Sequence, residues 1–197
     1  PSSAASDVYK RQTYRNKSGP LKLSRSSEGN ELSKVYLEAA EQAGYEINND
    51  MNGYKQEGFG LMDTTIYGGR RQSTSVTYLH PVINRRNLTV ITNTIVNKVI
   101  IENNKAVGVE CTVGREIKKI HAENEVILSA GAINSPQLLM LSGIGNAEEL
   151  KKLDISVQHD LRGVGENLQD HLETYLQYEC TKPVTLYTSY NPIRMAF

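Results

Sequence analysis

The densest group of reactive side chains lies between Asn167 and Glu173, in the stretch GENLQDHLE. His171 could accept a proton from an alcohol near neutral pH, where histidine ordinarily titrates. Asn167 and Asp170 carry short polar side chains that either meet a ligand or stabilise a loop through local hydrogen bonds. Glu173 supplies a carboxylate that composition alone assigns to solvent, since glutamate is seldom buried. If this stretch is extended, alternation puts Glu173 and Tyr175 on one face and Tyr178 on the other. A second group is notable for small residues: Ala130, Gly131 and Ala132, then Ser142, Gly143 and Gly145 one helix later. They would let the backbone approach a bulky ligand, or equally form a tight corner where a helix packs on a sheet. Two GxG strings, at Gly143 and Gly163, do not follow a strand and open a helix, so neither is a dinucleotide fingerprint. His80, His121 and His159, like Cys111 and Cys180, lack metal-ligand spacing and read as surface or packing residues.

These groups need elements to hold them. Leu32, Val35, Tyr36, Ala39, Ala40 and Ala43 follow helical spacing, which predicts an amphipathic helix over 31–45 with Asn30 as N-cap and Gly44 at its end. An Asn- and Gly-rich loop then leads to a short strand over 59–65, a turn through Gly68 and Gly69, and another helix over 73–79 that Pro81 limits. After Asn87 the pattern becomes extended. LTVIT, IVNKVII, AVGVECTV and EIKKIHA predict a β-meander of three or four strands, separated by turn formers such as Asn103 with Asn104 and Gly114. EVILSAG is a nearly continuous apolar run, the pattern of a buried parallel strand whose C-terminal end would face a ligand. Asn134 or Ser135 is expected to cap the next helix, with Pro136 in its first turn. A shorter helix over 147–153 leads into Ile155–Val157 and GVGENLQDH. The fold class is therefore α/β, α+β taken as a whole.

Composition excludes several classes. Lys and Arg total 22, and so do Asp and Glu, so no global field favours nucleic acid or an anionic membrane. The 39% hydrophobic content suits a buried core, and no apolar run approaches the ~20 residues that cross a bilayer. Pro1 to Gln12 has no hydrophobic period and resembles a translated sequencing adapter, which reads as a library scar. Met195 to Phe197 begins an apolar stretch with no cap, so both ends read as cut.

Gly131 to Gly145, GAINSPQLLMLSGIG, resembles the second signature of the glucose-methanol-choline (GMC) oxidoreductases, from a small pair through Ser135 and Pro136 to Ser142, Gly143, Ile144 and Gly145. NLTVITNTIVNKV, KAVGVE, EVILSAG and GVGENLQDHLE resemble the same family in the same order, so the resemblance runs from about Asn30 to Tyr187. It departs at Asp154, where glycine is common, and at Arg162, where proline is common. Both are loop positions, so local stability effects are expected there.

The resemblance implies an FAD-binding Rossmann-like domain segment with a β-meander, plus parts of an antiparallel-sheet substrate domain. Residues 13–72 would contribute to the substrate side, 73–170 to the FAD-binding domain and 171–197 to the start of the substrate domain. The dinucleotide fingerprint would precede residue 13. By the resemblance, the Val96 backbone meets the adenine edge, Ala130 and Gly131 pack beside the ribose and diphosphate, and Asn167, Asp170 and His171 pass near the flavin. QDHLETYLQYECTKPVTLY is most similar to the choline-oxidising members, which puts contact with a quaternary ammonium on Glu173. His171 is then a secondary active-site group, because the family's principal catalytic histidine lies in a more C-terminal segment. The expected partners are choline, oxidised to betaine aldehyde, and an electron acceptor, with no nucleic acid. Another primary alcohol is the alternative substrate, and a non-catalytic fragment the alternative role. The location would be cytoplasmic or membrane-peripheral in a bacterium and mitochondrial in a eukaryote.

Overall fold

The computed structural model describes residues 5–7, 18–26, 31–182 and 184. Asn30 and Met195–Phe197 lie outside them, as does Pro1–Gln12 apart from Ala5–Asp7. The chain forms two compact units, residues 1–89 with 176–197, and residues 90–175.

In the first unit, β1 (Ala5–Asp7) runs parallel to β2 (Leu21–Arg25), which pairs antiparallel with β3 (Asp63–Thr64). The expected helix is α1 (Glu31–Gln42), with Ala40 buried and Gly44 at φ 84 just beyond it. Phe59 gathers the aromatic residues around it: its ring centroid lies 5.6 Å from that of Tyr36 and 5.1 Å from that of Tyr45, tilted in both pairs. β4 (Ile66–Tyr67) and β5 (Arg70–Arg71) form a hairpin through Gly68 and Gly69. The helix expected over 73–79 is a single wide π turn, Ser75–Leu79, followed by a 3-10 turn, His80–Val82, in which Pro81 sits.

In the second unit, β6 (Thr94–Glu102), β7 (Lys105–Val113) and β8 (Glu116–His121) make the antiparallel meander in the order β6-β7-β8. LTVIT contributes no strand of its own. Asn103 and Asn104 both have positive φ, 50° and 61°, which is what a tight two-residue hairpin turn demands. A register shift between Val96 and Lys98 marks a bulge in β6. Helix α2 (Gly131–Leu141) packs against β6. It starts earlier than expected, with Ala130 as N-cap. Ser135 is not the cap; its hydroxyl reaches back to accept the Ala130 N–H at 3.0 Å, much as a capping-box side chain does, and Pro136 falls inside the helix. After β9 (Ile144–Gly145), Asn146 caps α3 (Ala147–Lys152) by accepting the Glu148 N–H at 3.0 Å. β10 (His159–Asp160) runs parallel to β9. Val99, Cys111, Leu138 and Leu150 form the buried centre, with Cys111 only 1% exposed.

Two further expected strands are not strands. Residues 125–130 join no ladder among the described residues, and Ile127 is 75% exposed. The apolar run has the faces of a buried strand, but a strand exists only with a partner for its backbone groups. Residues 166–180 likewise have neither helix nor strand, so the expected alternation of Glu173, Tyr175 and Tyr178 does not arise from a pleat.

Candidate functional site

The signature segment resolves into two halves with different physics. Ser142, 8% exposed, accepts the Val99 N–H at 2.8 Å and donates to the Leu138 carbonyl at 2.6 Å. Gly143 follows at φ 85, and its carbonyl accepts the N–H groups of Gln158 at 2.8 Å and His159 at 3.1 Å. A Cβ placed on Gly143 would stand 2.3 Å from the Ser156 carbonyl oxygen. This end of the segment is a packing corner. Gly131 also has positive φ, 88°, yet a Cβ there would meet nothing within 4 Å. The conformation needs glycine, while the space around it is open.

That open end borders a cavity of about 570 Å³. Val96 and Ala130, far apart in sequence, both line it, together with Thr94, Asn134, Gln137 and Leu138. The volume is within the ~300–1,000 Å³ usual for small-molecule sites. β6 is an edge strand with β7 on one side only among the described residues, so its outer backbone groups can pair with a ligand. No side chain caps α2, which leaves amides at its first turn for an anionic group. Apolar walls and an edge strand meet at this cavity, and α2 starts beside it at Ala130, an arrangement that suits a nucleotide.

Asn167 lies elsewhere. It has φ 57 and lines a second cavity of about 790 Å³, with Ala132, Pro136, Gln137, Met140 and Gly165. Asn is among the few residues other than Gly that adopt this conformation readily. Gln137 lines both cavities from α2. Sequence reading passed over it; the available signal was the i, i+3 pair Asn134 and Gln137, polar residues on one face of a largely apolar helix.

Asp170, His171 and Glu173 are exposed and line none of these cavities. The Asp170 carboxylate accepts the His171 backbone N–H at 2.8 Å, a local loop bond. The Tyr175 hydroxyl donates to the Glu173 carboxylate. That bond holds the Tyr175 phenol above its ordinary pKa, with a smaller contribution from desolvation. Asp154 adopts φ 58, so the position where glycine is common is a left-handed one. Arg162 sits 3.8 Å from Asp160 in an exposed ion pair. Among the described residues no cluster of His, Cys, Asp and Glu could hold a metal ion.

A family model for GMC oxidoreductases matches residues 2–173. The chain is 53% identical over 181 residues to the mitochondrial choline dehydrogenase of Mus musculus, covering 92% of this chain and 30% of that protein. It is 48% identical over 178 residues to an oxygen-dependent choline dehydrogenase of Brucella anthropi, covering 90% and 32%. The chain thus spans about a third of the length of the curated relatives it matches. Among solved structures it is similar to pyridoxine 4-oxidase from Mesorbium loti, with a TM-score of 0.73, 26% identity, and coverage of 80% of this chain and 31% of that one.

Proposed function

Because the chain belongs to the GMC oxidoreductase family, we propose that it is part of a flavin-dependent dehydrogenase that oxidises choline to betaine aldehyde. The 53% identity to a choline dehydrogenase over 92% of the chain carries the choice of substrate. FAD is the cofactor. Its adenosine and diphosphate side would be held by the Val96 backbone, Ala130 and Gly131, a reading supported by the shared cavity and the open space at Gly131. FAD, when bound, would supply the hydride acceptor for the alcohol carbon. Asn167 and Asp170 would approach the flavin, with His171 as a secondary polar group beside the reacting alcohol.

Glu173 is the residue for the substrate cation. A trimethylammonium group has no N–H to donate, so recognition falls to a carboxylate and to aromatic faces. Tyr175, whose hydroxyl donates to Glu173, brings an aromatic ring to the same short stretch. The complete enzyme would also need an electron acceptor, oxygen or a respiratory carrier. A mitochondrial location in a eukaryote, or a cytoplasmic or membrane-peripheral one in a bacterium, accompanies this reading. No helix among the described residues is long and apolar enough to cross a membrane.

The test uses the full-length protein, purified and assayed for flavin absorbance and for kcat/KM with choline, aliphatic alcohols and aryl alcohols. Stoichiometric flavin and the highest kcat/KM for choline are expected. An aryl or aliphatic alcohol outcompeting choline would assign the protein to another branch of the family, and a colourless, inactive protein would refute the reading altogether.

A further inference from the structure

Ser142 does more than end a helix. Its oxygen accepts the Val99 N–H at 2.8 Å while its hydroxyl donates to the Leu138 carbonyl at 2.6 Å. Val99 belongs to β6, the strand that carries Val96, and Leu138 belongs to α2, whose N-cap is Ala130. One buried hydroxyl therefore joins the two elements that wall the cavity lined by Val96 and Ala130. Apolar contact between α2 and β6 is non-directional and would let the helix slide; a hydrogen bond sets distance and angle. The hydroxyl is itself held in place, because Gly143 is tied to Gln158 and His159 through its carbonyl.

We infer that Ser142 is a positioning residue for the cofactor: by fixing α2 against β6 it sets the spacing between the Val96 and Ala130 walls, and so the affinity for FAD. This rests on the proposal that the cavity takes the nucleotide part of FAD. Ser142 would touch no atom of the cofactor and would act only through the separation of those walls. Loss of the hydroxyl would leave the Val99 amide without its partner and the wall spacing unfixed.

The experiment measures the FAD Kd of full-length apoenzyme by quenching of flavin fluorescence on reconstitution, beside the thermal midpoint of the apoenzyme. Ser142→Ala is expected to raise Kd about tenfold, the loss of one directional buried bond. Ser142→Thr keeps the oxygen and is expected to stay within about threefold of wild type. Leu150→Ala removes a 2%-exposed side chain from α3 and lowers the midpoint, but should leave Kd near wild type. Ala130→Leu fills the cavity and should abolish binding. If Ala130→Leu blocks FAD while Ser142→Ala binds it like wild type, the inference about Ser142 is overturned and the cavity assignment stands. If Ala130→Leu binds FAD normally, the cavity assignment fails and the inference with it. A Leu150→Ala protein that loses FAD as strongly as Ser142→Ala would reduce Ser142 to general stability and also overturn the inference. Should Ser142→Ala not fold, Ser142→Cys replaces it, with a weaker acceptor and an expected intermediate Kd; a wild-type Kd there overturns the inference equally.

Discussion

Replacing Gly143 by alanine separates the packing half of the signature from the open half. Gly143 has φ 85, where an L side chain costs roughly 1–2 kcal/mol. The new Cβ would stand 2.3 Å from the Ser156 carbonyl oxygen, 2.8 Å from Gln158 Cγ and 3.0 Å from the Gln158 nitrogen. The nearest of these is backbone, so no rotamer change relieves it. Moving the 156–159 segment away instead stretches the bonds from Gln158 and His159 to the Gly143 carbonyl, each worth about 1 kcal/mol net. Together the loss is about 3–4 kcal/mol, in the range reserved for backbone strain and core disruption. Gly131→Ala carries a similar dihedral cost at φ 88 but meets nothing within 4 Å, so its loss is about 1–2 kcal/mol. Urea unfolding of the full-length apoenzyme, followed by circular dichroism, compares the two. Gly143→Ala should be the less stable by about 2 kcal/mol. Equal losses, or a larger loss for Gly131→Ala, would refute the division of the segment into a packing half and an open half.

Three further outcomes are expected. Glu173→Gln in the full-length enzyme should raise the KM for choline by about tenfold or more while kcat changes less than about threefold, read by steady-state kinetics; an unchanged KM removes Glu173 from cation binding. Tyr175 should titrate above the ordinary tyrosine value of about 10, because donation to Glu173 favours the protonated phenol, with desolvation adding to it. The bond is thus fully present below that value and is lost as pH rises through the raised one. The phenolate absorbance difference between wild type and Tyr175→Phe reads this, and ionisation at or below the ordinary value counts against the bond. Asp154→Gly should stabilise the protein by roughly 0.5–1 kcal/mol by relieving φ 58 beyond the end of α3, shown by a higher urea midpoint; a lower midpoint would mean the Asp side chain itself contributes there.

The meander was legible because β-branched runs alternate with Asn103–Asn104 and Gly114, and such hairpins are local. Residues 125–130 were legible only as a pattern. Apolar faces say which way side chains want to point, whereas a ladder depends on which other segment is present to pair. The start of α2 was misplaced because Ser135 looks like a cap by type, and only its geometry shows the hydroxyl serving the Ala130 amide from inside the helix. The cavity joining Val96 to Ala130 could not be read from spacing, since it arises where α2 crosses β6. The division between Gly131 and Gly143 is equally invisible in a string of letters, where both are simply small residues.

The turns of the meander bear on how this unit reaches its structure. β6, β7 and β8 are joined by very short connections, so their ladders close small loops at little entropic cost. Hairpins of this kind form in about 1–10 μs, ahead of elements that must dock from farther along the chain. The sheet would then present the Val99 N–H as a ready donor before α2 arrives with Ser142. Substitutions at Asn103 or Asn104 should therefore slow folding, whereas those at Ser142 should mainly hasten unfolding.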